Sequence, residues 1–261
     1  MDRNFLLHLQ FDGGQFAGWQ RQAAARTVQG ELERVLERLA GRRIVAHGAG
    51  RTDAGVHAER LGVSVRLPER WNAPALHRAI NALLPEDCRV VQAQEVSPAF
   101  HARRSASART YRYELGTDGD SRSPFRRRWE WPLARPVDLA AMAGAAERIL
   151  GEHDFHRLSV RSSPRPHYRC QVRTATWRAP PDGCRAPIRM TAHRFLLRKQ
   201  PMLVGTMVDI GLARRPAGDL ELLLAHHPDV RTSPPAPAEG LYFMSAEYPA
   251  ALLSPTDPVS A

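Results

Sequence analysis

His47-Gly48-Ala49-Gly50-Arg51-Thr52-Asp53-Ala54-Gly55-Val56-His57-Ala58 sets one carboxylate between glycine-rich turns, with an arginine two residues upstream. Its glycines admit backbone conformations and close approaches that are closed to other residues. Thr52 and Asp53 favour turns, because their side chains bond nearby amides. The stretch therefore reads as a tight loop, and its flanks decide the fold. Upstream, Arg43 to Val45 begins a strand that enters the loop. Downstream, Val63, Val65 and Leu67 alternate along a strand from Gly62 to Leu67. Beyond these lie two helices. The first covers 27–40, with Val28, Leu32, Val35, Leu36 and Leu39 at helical spacing and Thr27 as N-cap. The second covers 73–84 and ends before Pro85. Outermost are strands over 3–11, with Phe5, Leu7, Leu9 and Phe11 on one face, and from Cys88 to Val96. The order β-α-β-β-α-β predicts a ferredoxin-like unit, an antiparallel sheet backed by two helices.

The second half repeats this theme less cleanly. Strands are expected from Arg109 to Leu115, Cys170 to Trp177, Ile188 to Phe195 and Gly240 to Tyr248. Helices are expected from Val137 to Leu150, Met202 to Leu212 and Leu220 to His226. The fold class is α+β: two ferredoxin-like α/β halves forming an extended, mainly antiparallel sheet flanked by helices. The domains are expected at 1–104, carrying the glycine-rich loop, and 105–250, with a loose tail at 251–261.

The whole chain carries a formal net charge of +10 with a pI near 10.6, which points to a polyanionic partner. Its 37 basic residues comprise 36 arginines and one lysine, Lys199. Arginine's planar fork suits bidentate phosphate contacts and stacking on bases, although a GC-rich genome would also enrich it. Three cysteines without a Cys-x-x-Cys pair argue against a secreted disulfide scaffold and against a zinc site. No hydrophobic signal region or apolar run of about 20 residues occurs, so the chain is expected in the cytoplasm without membrane association. Neither a phosphate-binding Gly-x-x-x-x-Gly-Lys loop nor Gly-x-Gly-x-x-Gly after a strand is present, and no nucleotide cofactor is expected.

Two more stretches carry chemistry-bearing residues. Phe11-Asp12-Gly13-Gly14-Gln15-Phe16-Ala17-Gly18-Trp19-Gln20-Arg21-Gln22 mixes turn glycines, aromatics and polar groups. It reads either as a turn with Phe16 and Trp19 packed inward, or as a surface for an unstacked nucleotide. Phe100-His101-Ala102-Arg103-Arg104-Ser105-Ala106 leads into Ala108-Arg109-Thr110-Tyr111-Arg112-Tyr113, where strand alternation puts Arg109, Tyr111 and Tyr113 on one face.

The 47–58 loop closely resembles the catalytic loop of the TruA family of tRNA pseudouridine synthases, and the other two stretches are similar to motifs of the same family. Asn81-Ala82-Leu83-Leu84-Pro85, Gly151-Glu152-His153-Asp154-Phe155 and Glu239-Gly240-Leu241-Tyr242 also match, so the resemblance runs from Phe11 to Pro249. It implies the pseudouridine synthase fold and isomerisation of uridine to pseudouridine at positions 38 to 40 of the tRNA anticodon stem-loop. Asp53 would be the catalytic carboxylate. Arg51 would help displace the base and hold phosphate, and Tyr111 would stack on the uracil. Gln20, Arg21, Thr52, His57, Arg103 and Arg109 would lie along the RNA. The resemblance also implies a homodimer, no cofactor and no metal, even though His47, Asp53 and His57 have suitable side chains for one.

One position departs from the family pattern. Where the family carries an arginine thought to pair with the catalytic aspartate, this chain has Pro201, within Phe195-Leu196-Leu197-Arg198-Lys199-Gln200-Pro201-Met202-Leu203-Val204-Gly205. Proline fits there if it starts a helix, but it supplies no charge. Arg198 or Lys199 reaching in, Arg51 sufficing alone, or impaired catalysis would each account for it; the two nearby cations favour the first. An RNA-binding or RNA-remodelling protein of the same fold, with weak or lost catalysis, is the alternative reading. Turnover separates the two.

Overall fold

The computed structural model describes residues 2–158, 168–178, 183–193 and 199–255. They divide into two compact units, Met1–Ala108 with Phe243–Ala261, and Arg109–Tyr242.

The first unit runs β1 (Asp2–Phe11), α1 (Val28–Ala40), β2 (His47–Gly48), β3 (His57–Pro68), α2 (Ala73–Asn81) and β4 (Cys88–Val96). Strand β1 lies between β4 and β3, antiparallel to both, and β2 pairs with β3 through His47–Ser64 and Gly48–Val63. This is the β4-β1-β3-β2 order of a ferredoxin-like unit. Phe5, Leu7 and Leu9 of β1 and Leu61, Val63 and Val65 of β3 are buried together with Leu32 and Leu36 of α1 and Leu76 and Ile80 of α2. Each such aliphatic or aromatic side chain contributes roughly 1.5–3 kcal/mol on burial.

The opposite face of β1 is also covered. Leu6 packs with Val96, Phe100 and Ala102, and Tyr248, Leu252 and Leu253 close over them. The tail expected to be loose from 251 is docked as far as Leu253: Ser97 N donates to the Leu252 carbonyl and Gln94 Nε2 to that of Leu253. Two further boundaries differ from expectation. The strand expected from Arg43 is confined to His47–Gly48, because Ile44 and Ala46 are drawn into the core without strand pairing. Helix α2 stops at Asn81 in a turn, with the Leu83 and Leu84 amides both donating to Ile80 O.

The second unit contains β5 (Ala108–Tyr113), β6 (Leu115–Gly116), β7 (Trp131–Pro132), α3 (Leu139–Glu147), β8 (Gly151–Asp154), β9 (Arg169–Trp177), β10 (Ile188–Ala192), α4 (Lys199–Gly211) and α5 (Asp219–Leu224). Its sheet order is β5-β10-β9-β8, and β10 is antiparallel to both β5 and β9. The succession β5-α3-β9-β10-α4 repeats the first half, with β8 added at the edge. The two-residue strands β6 and β7 and the four-residue β8 are too short to show a period in sequence. Strand β11 (Leu241–Glu247), which from Phe243 onward belongs to the first unit, pairs with β3.

Candidate active site

The loop carrying Asp53 joins β2 to β3 and rests on the turn that follows β1. Trp19 N donates to the Thr52 carbonyl at 3.0 Å, and Ala49 N to that of Gly62 at 2.8 Å. Gly18 takes φ +92°, and a β-carbon there would stand 2.6 Å from Thr52 O and 3.1 Å from Asp53 C. At Gly13 a β-carbon would stand 2.1 Å from Val56 O. Glycine is required at both positions because backbone meets backbone. Phe16 and Trp19 are buried, so the 11–22 stretch packs its aromatics inward and serves as the bed of the Asp53 loop.

That bed is anchored to α1. The Gly18 and Trp19 carbonyls accept from Val28 N and Gln29 N, while Thr27 accepts from Gly30 N through its hydroxyl and from Glu31 N through its carbonyl. All four amides at the helix start are thus satisfied within the protein, which leaves this N-terminus no free donors for an anion. A buried polar chain extends the anchor. Gln29 Oε1 accepts from Gln20 Nε2 at 2.7 Å and from Arg21 N at 2.9 Å. Gln29 Nε2 donates to Glu33 Oε1, which also accepts from Ala46 N, two residues before Gly48. Arg21 pairs with Glu33 at 3.3 Å. Gln29 and Glu33 were not singled out in the sequence. Their signal is a pair of polar residues four apart, on the helix face that also carries Leu32 and Leu36.

The expected site residues take distinct places. Arg51 is exposed and Asp53 partly exposed, two positions apart on the loop. Thr52 is buried, and its carbonyl anchors the loop. His57 is 2% exposed; its Nδ1 accepts from Gly13 N at 3.1 Å and stands 3.2 Å from Asp12 Oδ1, tying the downstream end of the loop to the turn after β1. Gln20 and Arg21 are held by the Gln29–Glu33 chain, with the Arg21 side chain still 54% exposed. Arg103 is exposed, and its amide donates to His101 Nδ1.

In the second unit, Arg109 donates from Nη1 to the His193 carbonyl at 2.9 Å, and Tyr111 is buried on β5 opposite Met190. Arg198 lies outside the described residues, and Lys199 is described only as the first residue of α4. Pro201 is the third residue of α4, where no intrahelical amide bond is lost. Its carbonyl accepts from Ala236 N, and Gly205 one turn on packs against the Pro234 backbone. The first turn of α4 is therefore built around proline. Among the described residues, no three His, Cys, Asp or Glu side chains gather as a cation site, and no helix is long and apolar enough to cross a membrane.

A partly exposed carboxylate on a loop braced at both ends can attack or deprotonate a bound group with little reorganisation. Comparison with known proteins bears on which group that is. A family model described as tRNA pseudouridine synthase matches residues 145–249. Over 257 residues the chain is 39% identical to tRNA pseudouridine synthase A of Thermus thermophilus, covering 97% of this chain and 100% of the relative. The Moorella thermoacetica enzyme of the same name is 39% identical over 249 residues, 92% of this chain and 97% of the relative. The Methylobacterium nodulans one is 38% identical over 258 residues, 96% and 98% respectively. These full-length matches include the Asp53 loop as well as the second unit, and the chain belongs to the tRNA pseudouridine synthase A family.

Proposed function

We propose that this protein converts uridine to pseudouridine at positions 38 to 40 of the tRNA anticodon stem-loop, with Asp53 as the catalytic carboxylate. The observation that carries the reading is the bracing of the Asp53 loop, in which the amide of Trp19 and the surfaces of Gly13 and Gly18 hold the backbone on both sides of the carboxylate. In the reaction the N1–C1′ bond of uridine breaks, the base turns, a C5–C1′ bond forms, and the C5 proton leaves as N1 gains one. Substrate and product are isomers, so the chemistry needs no oxidant, reductant or group donor. Asp53 serves as nucleophile at C1′ or as base toward the 2′ carbon. Arg51 helps displace the base, and Tyr111, on the family resemblance, stacks on the uracil. Gln20, Arg21, Thr52, His57, Arg103 and Arg109 position the RNA, with Thr52 and His57 acting through the loop they hold. Arg198 or Lys199 replaces the charge that Pro201 cannot supply. The enzyme works as a homodimer in the cytoplasm.

The test is pseudouridine formation in an unmodified tRNA with uridines at 38 to 40, for wild type, Asp53→Asn, Arg198→Ala and Lys199→Ala. Wild type should form product at those positions. Asp53→Asn should lose at least 10³-fold in rate while binding tRNA within about 3-fold of wild type, as expected for a group that acts in the transition state. One of the two cation variants should slow turnover; full activity in both would remove them from the mechanism. Pro201, buried in the first turn of α4, favours a second reading in which catalysis is lost. Tight binding without product from wild type would establish that one.

A further inference from the structure

Beside the root of the Asp53 loop, the first unit contains a cleft of about 490 Å3 that the reading above leaves unused. Its walls come from the start of β1, the 42–47 segment leading into β2, the middle of β3 and the 98–104 segment. Arg42, Arg43, Arg66 and Arg104 line it, together with His47 and His101. The one acid on the wall, Asp2, is neutralised by Arg42 at 2.5 Å. Arg66 donates to the Pro98 carbonyl. The guanidinium groups of Arg43 and Arg104 make no hydrogen bond or ion pair among the described residues. Two exposed arginines thus border a concave space with their donors unspent.

The cleft is also suited to a base or ribose. The imidazoles of His47 and His101 lie against each other with centroids 4.7 Å apart and planes tilted by 31°, giving the wall an aromatic element. Val45, 47% exposed and among the most exposed large apolar residues, lines the same space. His101 Nδ1 accepts from the Arg103 and Arg104 amides at 3.2 and 3.4 Å, which assigns the ring proton to Nε2. Burial, then the neighbouring His47 and Arg104, holds the His101 imidazole below its ordinary pKa. The cleft's four arginines carry permanent positive charge, and arginine is the residue suited to phosphate and to stacking. A volume of several hundred Å3 suits a ligand of nucleotide size.

We propose that this cleft is an RNA-backbone site that takes a phosphate and its attached nucleotide from the substrate strand next to the reacting uridine, with Arg43 and Arg104 as the phosphate contacts. The proposal rests on the reading of the substrate as tRNA. A continuous strand is favoured over a free mononucleotide, because the cleft adjoins β2, whose last residue opens into the Asp53 loop.

The experiment compares full-length wild type, the double variant Arg43→Gln/Arg104→Gln, and a control, Arg38→Gln/Arg78→Gln, which removes the same charge from exposed sites on α1 and α2. Binding of unmodified tRNA is measured from 50 to 200 mM salt, and pseudouridine formation is followed on the same RNA. Each lost phosphate contact lowers the slope of log K against log salt by about 0.7–0.9. The cleft variant should lose roughly 1.4–1.8 in slope and bind at least 10-fold more weakly at 100 mM salt. The control should keep the wild-type slope. A wild-type slope in the cleft variant, or an equal loss in the control, overturns the site. So does micromolar binding of uridine 5′-monophosphate that the cleft variant alone abolishes while its tRNA binding stays intact, since the cleft would then serve a free nucleotide. Product from wild type with an unchanged slope removes the cleft alone. A reduced slope with no product from wild type removes the catalytic reading and leaves the cleft standing.

Discussion

Replacing Gly18 with alanine perturbs the Asp53 loop without touching a charged or polar side chain. Two costs are expected. At φ +92° an alanine is strained by roughly 1–2 kcal/mol. Its β-carbon would also stand 2.6 Å from Thr52 O, about 0.8 Å short of an ordinary contact at 3.4 Å. Both sides of that contact are backbone, so no side chain can turn away. The Trp19 N to Thr52 O bond must lengthen, and the peptide leading into Asp53 must move by several tenths of an ångström. Displacing a catalytic group by about 1 Å costs on the order of 100-fold in rate. Gly41→Ala isolates the strain. Gly41 has φ +72°, caps α1, and has nothing within 4 Å of its β-carbon site. Urea denaturation and single-turnover pseudouridine formation on tRNA are measured for both variants. Gly41→Ala should lose about 1–2 kcal/mol and keep its rate. Gly18→Ala should lose at least as much stability, and its rate constant should fall on the order of 100-fold at saturating tRNA. Turnover of Gly18→Ala within 2-fold of wild type, or an equal rate loss in Gly41→Ala, would refute the claim that backbone contact sets the position of Asp53.

Glu33→Ala leaves Ala46 N without its acceptor, while Gln29 Nε2 keeps only the Ala46 carbonyl, at roughly 1–3 kcal/mol for the buried amide; Glu33→Gln should recover most of this in urea midpoints, and a loss below 0.5 kcal/mol in the alanine variant would show the carboxylate to be dispensable. Burial, then the charge of Arg60, holds His8 down to about 4, against 6.5 for the unfolded chain. Between those values the unfolded state binds more protons, so stability rises with pH through the window and is lost as pH falls from 6.5 toward 4. At about 1.36 kcal/mol per pH unit, the effect across the window is on the order of 3 kcal/mol. The difference in unfolding free energy between wild type and His8→Gln should change across this window and stay flat outside it; parallel profiles would contradict the assignment.

Much of the first unit was legible from local pattern. Alternation over 3–11, the strand reading of 88–96, the Thr27 cap and the apolar spacing of 28–39 are short-range features, and each reappears as β1, β4 or α1 with its ends nearly unmoved. Asp53 stood out for the same reason, since the glycines and turn formers around it act within a few residues.

What the chain alone determined, then, was where backbone prefers to be extended, helical or turned, and which loop carries the carboxylate. Tertiary structure decided what braces that loop. The contacts between Gly13 or Gly18 and residues 52–56 join segments more than thirty positions apart, and no period or propensity encodes them. Burial of Gln29 and Glu33 likewise follows from satisfying Gln20, Arg21 and Ala46, a hydrogen-bonding balance that exists only once the segments meet. The proline of α4 is tolerated because the first helical turn needs no amide there, and only the folded chain shows that its carbonyl receives Ala236 N. Local preference acts through the dihedral angles of neighbouring residues. Position in space depends on which distant surfaces exclude water together, and that is settled by the packed whole.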